Sequence, residues 1–170
     1  ESLSPECKLS ANDVVMVCGA AGGLNITLKT LLDPGDEVII FTPYFVEYLF
    51  YADNHGGKAV PVSTGDDFRL DFSALKNALN EKTKAVIINS PNNPTGVVYS
   101  RKELRDLADI LKTHSNRFGK AVYLISDDPY KKITFDGVEA PNILEFYDNS
   151  IYITSHSKDI ALPGERIGFV

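Results

Sequence analysis

Val14-Val15-Met16-Val17 is a run of four apolar residues that passes through Cys18 into the small-residue stretch Gly19-Ala20-Ala21-Gly22-Gly23. From Leu24 to Leu32 the apolar residues then fall at 24, 28, 31 and 32, the spacing of one helix face. A short apolar run, a flexible turn and an amphipathic segment together read as strand, turn and helix. Asp33-Pro34-Gly35-Asp36 stops the helix, and Val38-Ile39-Ile40-Phe41 reads as a second buried strand.

The same alternation continues along the chain. Tyr44 to Asn54 reads as helix, closed by Gly56-Gly57, and Lys58 to Val62 as a short strand. Phe72, Leu75 and Leu79 share a helix face within 72–81, and Ala85-Val86-Ile87-Ile88 reads as strand. Ser100 with Glu103 forms a capping box ahead of a helix carrying Leu104, Leu107, Ile110 and Leu111 on one face. Strands are expected over Ala121 to Ile125, ending at Asp127, and over Ile151-Tyr152-Ile153, ending at Ser155. Continuous apolar strands separated by helices predict an α/β fold with a parallel sheet covered on both faces.

The chain has 170 residues, 44% of them apolar, and a net charge of −6. That balance is globular rather than disordered. The acidic charge argues against a nucleic-acid partner, whose phosphates require clustered Lys and Arg. No apolar run approaches the roughly 20 residues that span a bilayer, so no membrane partner is expected. Cys7 and Cys18 match neither a disulfide framework nor a metal-binding spacing, and no metal is expected. Two isolated thiols suit a reducing cytoplasm, and Cys18 is expected to be a small buried side chain at a strand end.

The unusual residues fall in one kind of place. Gly19, Asn93, Asp127 and Lys158 each follow the carboxyl end of an expected strand, where open α/β sheets build their sites. Gly19 to Gly23, opening a helix, offers free backbone N–H groups to a phosphate, although a plain strand-to-helix turn explains the same residues. In Asn92-Asn93-Pro94-Thr95-Gly96 the proline and glycine fix the direction of the Asn93 amide. Asp127, in Asp127-Asp128-Pro129-Tyr130, suits a cationic nitrogen, with Tyr130 in reach of the same ligand; a helix N-cap is the simpler reading of the aspartate. Ser155-His156-Ser157-Lys158 precedes Pro163-Gly164-Glu165-Arg166-Ile167-Gly168. An amine made nucleophilic by desolvation or by a nearby cation suits a Schiff-base lysine at 158, and Arg166 suits an anionic oxygen. Phosphate, aromatic ring, protonated ring nitrogen, ring oxygen and an aldehyde for a lysine describe one ligand, pyridoxal phosphate.

With these motifs the chain resembles the class I/II aminotransferases, the fold-type I pyridoxal-phosphate enzymes, from Val14 to Val170. Asn93-Pro94-Thr95-Gly96, Asp127-x-x-Tyr130, Ser155-x-Ser157-Lys158 and Pro163-Gly164-x-Arg166-x-Gly168 carry the resemblance. It implies a three-layer α/β/α sandwich whose mostly parallel sheet has an antiparallel last strand. It implies that Lys158 bonds the cofactor as an internal aldimine and then moves protons. Asp127 keeps the ring nitrogen protonated, and Asn93 and Tyr130 donate to the ring oxygen. Ala20, Ala21, Ser155 and Arg166 hold the phosphate, with Ser157 assisting. Phe45, in Thr42-Pro43-Tyr44-Phe45, stacks on the ring in preference to Tyr44. His55, His114 and His156 have no assigned role and are expected to be structural or exposed.

The resemblance further implies transfer of an amino group between an amino acid and a 2-oxo acid, in a cytoplasmic homodimer. The family's chains are longer, so residues 1–170 are expected to be a cofactor-binding large domain truncated at both ends, without the N-terminal arm and the small C-terminal domain. A carbon–sulfur lyase or another fold-type I enzyme uses the same residues, as does the ligand-binding half of a transcriptional regulator on this fold. A nucleotide-binding module built on Gly19 to Gly23 predicts an acidic residue after the second strand, where Thr42-Pro43 stands instead.

Overall fold

The computed structural model of the chain describes residues 9–170, and Cys7 lies outside them. A short 3-10 turn at Ala11–Asp13 precedes β1 (Met16–Cys18), α1 (Gly19–Leu31), β2 (Glu37–Thr42), α2 (Glu47–Asp53), β3 (Lys58–Ser63) and α3 (Phe72–Ala78). There follow β4 (Thr83–Ile88), α4 (Arg101–Phe118), β5 (Tyr123–Asp127), a second 3-10 turn at Ile143–Glu145, β6 (Ser150–Ser155), α5 (His156–Asp159) and β7 (Ile167–Phe169). The seven strands form one sheet in the order β1-β7-β6-β5-β4-β2-β3. β2, β3, β4, β5 and β6 run parallel; β7 is antiparallel to both β6 and β1, which leaves β1 parallel to the rest. The last strand is therefore antiparallel, as expected.

Side chains two residues apart on a strand share a face of the sheet, and here the two faces build two separate cores. Ile39, Phe41, Val86, Ile88 and Leu124 point one way and pack with Leu75 of α3 and Leu104, Leu107 and Leu111 of α4. Val38, Ile40, Ala85, Ile87 and Ile125 point the other way, against Leu24 and Leu28 of α1 and Tyr48, Tyr51 and Ala52 of α2. Both faces being covered explains why the strands read as unbroken apolar runs. α4 starts where its sequence says it should: the Ser100 hydroxyl accepts from the Glu103 N–H, and Glu103 returns a bond to the Ser100 backbone. Removing such a cap costs roughly 1 kcal/mol.

Boundaries moved in several places; α3, expected over 72–81, ends at Ala78, and β5, expected from Ala121, starts at Tyr123. β1 was expected over 14–17 and lies at Met16–Cys18; Val15 still exchanges two backbone bonds of 2.9 Å with Val170, so the ladder continues without counting as strand. Helix begins at Gly19 rather than Leu24, because the small residues form the first turns of α1 instead of a loop. α2 begins at Glu47, leaving Tyr44 to Val46 as the connection. Cys18, expected to be buried, is exposed, since β1 is an edge strand.

Gly168 is what lets β7 enter the sheet. A Cβ there would stand 2.6 Å from the Thr154 carbonyl oxygen and 2.9 Å from the Gly19 carbonyl carbon, both backbone atoms. Gly168→Ala is expected to destabilise the intact protein by about 1–3 kcal/mol, as overpacking against rigid neighbours does. Urea denaturation of the variant beside the parent measures it, and an unchanged midpoint would contradict the close approach.

Candidate active site

Because all strands but β7 point the same way, their carboxyl ends share one edge of the sheet. The N-terminal end of antiparallel β7 meets that edge as well, which brings Arg166 to it. A cleft of about 280 Å3 opens there, and all ten residues singled out from the sequence line it: Ala20, Ala21, Phe45, Asn93, Asp127, Tyr130, Ser155, Ser157, Lys158 and Arg166. An apolar cavity of about 310 Å3 beside α1 and an open one of about 720 Å3 beside Lys131 contain none of these ten.

One end of the cleft is built for an anion. α1 starts at Gly19 with no side-chain cap on its N-terminus, so its first-turn N–H groups have no intrahelical acceptor. Gly19 has φ +71, and a Cβ on it would overlap the Arg166 guanidinium, so glycine is what lets that cation lie over the helix start. Arg166 Nη1 donates to the Pro163 carbonyl at 3.1 Å and lies 3.4 Å from Ser157 Oγ. Ser155 is buried beside them at the end of β6. Helix dipole, two hydroxyls and a guanidinium converge here.

The floor holds a carboxylate. Asp127, the last residue of β5, is 6% exposed. Tyr48 donates to its Oδ2 at 2.7 Å, while its Oδ1 is buried without a partner. Burial pushes the Asp127 carboxyl up to about 6, against the pull of the Tyr48 hydrogen bond. No helix follows to be capped by it; the chain continues into turns. Its neighbour Asp128 points elsewhere, accepting from Ser126 Oγ at 2.6 Å, and burial pushes it up to about 7.

One wall joins the Asn93 and Tyr130 motifs. Asn93 Nδ2 stands 3.5 Å from Tyr130 Oη, and burial together with the Asp127 charge holds the Tyr130 phenol above its ordinary value. Asn89 sits behind both: its Oδ1 accepts from the Asn93 backbone N–H at 2.6 Å, and its Nδ2 donates to the Asp127 carbonyl. A single buried amide thus fixes two strand-end motifs against each other. On the opposite wall Phe45 precedes α2 and meets Tyr48 edge-on, with ring centroids 5.8 Å apart. Tyr44 packs into the α1/α2 core and does not line the cleft.

Lys158 stands on the one-turn helix α5, at the mouth of the cleft. Asp159 ties that turn down, 3.2 Å from His156 Nδ1 and 3.3 Å from Lys132 Nζ. The desolvated lysine expected from the sequence is not what the fold supplies: Lys158 is exposed among the described residues. Arg166 lines the same cleft as Lys158. His55 and His114 are structural, bonding Asn25 Oδ1 at 3.1 Å and the Asn80 carbonyl at 3.0 Å.

Sequence reasoning missed Tyr48, Asn89, Glu47 and Tyr51, which also line the cleft. Asn89 was within reach of the rule that found Asn93, since it is the first residue past β4. Tyr48 lies three residues after Phe45, one helical turn along. Glu47 and Tyr51 pair with each other, a contact four residues apart that sequence cannot separate from any surface pair.

The family model described as aminotransferase class I and II matches residues 2–170. Among curated relatives, the probable aspartate aminotransferase of Methanocaldococcus jannaschii is 34% identical over 94% of this chain and 40% of its own length. The aspartate aminotransferase of Bacillus subtilis is 36% identical over 93% of this chain and 40% of its own. An amino transferase of Eubacterium rectale superposes with a TM-score of 0.93 at 40% identity, covering 95% of this chain and 41% of that one. The chain spans about 40% of the length of the curated relatives it matches. Fold, motif order and sequence agree, and the chain belongs to the class I and II aminotransferase family.

Proposed function

We propose that the intact protein is a pyridoxal-phosphate-dependent aminotransferase that moves an amino group between an amino acid and a 2-oxo acid, and that residues 1–170 form most of its cofactor-binding large domain. The observation that carries this reading is the unpartnered, buried Asp127 Oδ1 in a cleft that also holds Lys158 and an uncapped helix N-terminus under a guanidinium. A buried acceptor without a donor costs about 1–3 kcal/mol, and a protonated ring nitrogen is the donor that satisfies it. The cleft thus fits the cofactor at both ends.

In this reading the Ala20 and Ala21 N–H groups, Ser155, Ser157 and Arg166 hold the phosphate, and Phe45 lies on the ring face. Asn93 and Tyr130 share the ring oxygen, supported by their 3.5 Å approach to each other. When bound, the cofactor supplies an electron-withdrawing ring that stabilises negative charge at the substrate α-carbon. Asp127 keeps a proton on the ring nitrogen, which strengthens that effect. Lys158 Nζ would be the amine that holds the cofactor's aldehyde group and, as a free amine, the base that would move the proton at the substrate α-carbon. Its place on α5, held by Asp159, keeps the amine at the cleft mouth, where substrate enters.

A homodimer belongs to the same proposal, supported by two exposed apolar side chains, Val46 just before α2 and Phe50 on it. A cytoplasmic setting is supported by the free thiol of Cys18. No helix among the described residues is long and apolar enough to cross a membrane.

The test is a spectrophotometric scan of amino acids against the loaded, intact protein without a 2-oxo acid acceptor. Conversion of the cofactor from its aldehyde to its amine form, with one equivalent of 2-oxo acid released, is expected and identifies the donor. Release of 2-oxo acid and ammonia in many turnovers without that conversion would assign a lyase instead.

A further inference from the structure

Asp127 has two chemically equivalent oxygens, yet the structure treats them differently. Oδ2 accepts from Tyr48 at 2.7 Å, and Oδ1 is left buried without a partner. We propose that Tyr48 is a positioning residue that selects which oxygen of Asp127 faces the cofactor ring and holds that carboxylate in its ionised state. The proposal rests on the assignment of Asp127 to the ring nitrogen made above.

Tyr48 is suited to the task by its own immobility. It is 3% exposed, packs in the core formed by α1, α2 and the sheet, and meets the Phe45 ring edge-on at 80°. A carboxylate bonded to so rigid a donor cannot swing about its last torsion, so Oδ1 keeps one direction. Donor and acceptor are unambiguous: burial holds the Tyr48 phenol well above its ordinary value, so at neutral pH it keeps its proton and donates it to Asp127. Its hydrogen bond opposes the desolvation that otherwise favours a neutral carboxyl. A neutral Asp127 has no charge to hold a proton on a ring nitrogen. The Phe45 carbonyl accepts from the Tyr48 N–H at 3.1 Å in the turn that leads into α2, so the entry to a single helix sets both the ring face and the partner of the ring nitrogen.

Other groups near Asp127 carry charge or protons: Tyr51 and Glu47 on α2, Asp128 and Tyr130 after β5, and Lys158 and Arg166 across the cleft. All six remain in a Tyr48→Phe variant, so the difference between variant and parent reports the hydroxyl alone. In the cofactor-free intact protein, the Asp127 carboxyl is titrated by isotope-edited infrared spectroscopy. Loss of a hydrogen bond to a charged group is expected to move its midpoint upward by about one to two pH units. In the loaded protein, the magnetic resonance of an isotopically labelled ring nitrogen is expected to move toward the unprotonated position at neutral pH.

Tyr48 substituted by a ring-fluorinated tyrosine keeps the packing and donates more strongly, so the carboxyl midpoint is expected to move the opposite way. That variant decides the matter should Tyr48→Phe fail to fold. Unmoved midpoints in the folded variants would overturn the proposal. Asp127→Asn separates the two readings. If that change leaves the ring-nitrogen resonance where it was, the assignment of Asp127 itself is wrong. If Asp127→Asn moves the resonance and Tyr48→Phe does not, only the role of Tyr48 falls.

Discussion

Lys158→Ala is expected to abolish covalent attachment of pyridoxal phosphate while leaving the cofactor able to bind. Borohydride reduction followed by peptide mass spectrometry reads the first outcome: the parent carries the cofactor on Lys158, and the variant carries none. Attachment at any other lysine would sink the assignment. Binding persists because the anion end of the cleft does not involve Lys158; it is built from the start of α1, Ser155, Ser157 and Arg166. The rate of α-proton transfer, followed by stopped-flow absorbance, is expected to fall by about 10²–10⁴-fold, the usual contribution of one positioned acid–base group. Stability should hardly change, because Lys158 is exposed and truncating an exposed side chain stays within about 0.5 kcal/mol. Loss of rate with an unchanged melting curve separates a chemical role from a structural one.

How much of this was legible beforehand depended on whether a residue's job is local. The strands declared themselves, because a sheet covered on both faces demands unbroken apolar runs such as Val38 to Phe41 and Ala85 to Ile88. Asn93, Asp127 and Lys158 were legible for a related reason: each stands just beyond such a run, and the end of a parallel strand is where a ligand can be reached. Lys158's exposure was not legible, since burial of one turn depends on everything that packs over it. Nor was Tyr48, which is worth noticing only once Asp127, 79 residues later, has been placed beneath it. Asn89 bonds the backbone at Asn93 and at Asp127, and backbone partners leave no mark in sequence. The start of α1 was misplaced because glycine and alanine in succession suggest a loop, while here the turn is made at Gly19 alone and the helix proceeds from it.

Asp127→Asn should make the cofactor-free protein more stable at neutral pH and the loaded enzyme far less active. Burial raises the Asp127 carboxyl to about 6 in the folded chain, against about 4 when unfolded. The folded state therefore binds more protons than the unfolded one between those values, and stability falls as pH rises through that window. Above it, ionised Asp127 costs the cofactor-free fold up to about 3 kcal/mol. Asparagine has nearly the same shape, can accept from Tyr48 through its oxygen, and never ionises. Its variant should lose the Asp127 share of the slope between about pH 4 and 6, while the share from Asp128, pushed up to about 7, remains. Thermal melts of the cofactor-free intact protein across that range measure the difference. In the loaded enzyme the same change would remove the charge proposed to keep the ring nitrogen protonated. The rate of α-proton removal is expected to drop about 10²–10³-fold, the loss seen when one preorganised electrostatic partner is deleted. Cofactor affinity should weaken far less, because the phosphate end is untouched. A variant that is equally active, or one that is inactive and also unstable at neutral pH, would contradict the assignment. A protein that becomes steadier as it becomes slower has lost a group kept for its chemistry, since burying that carboxylate otherwise only weakens the fold.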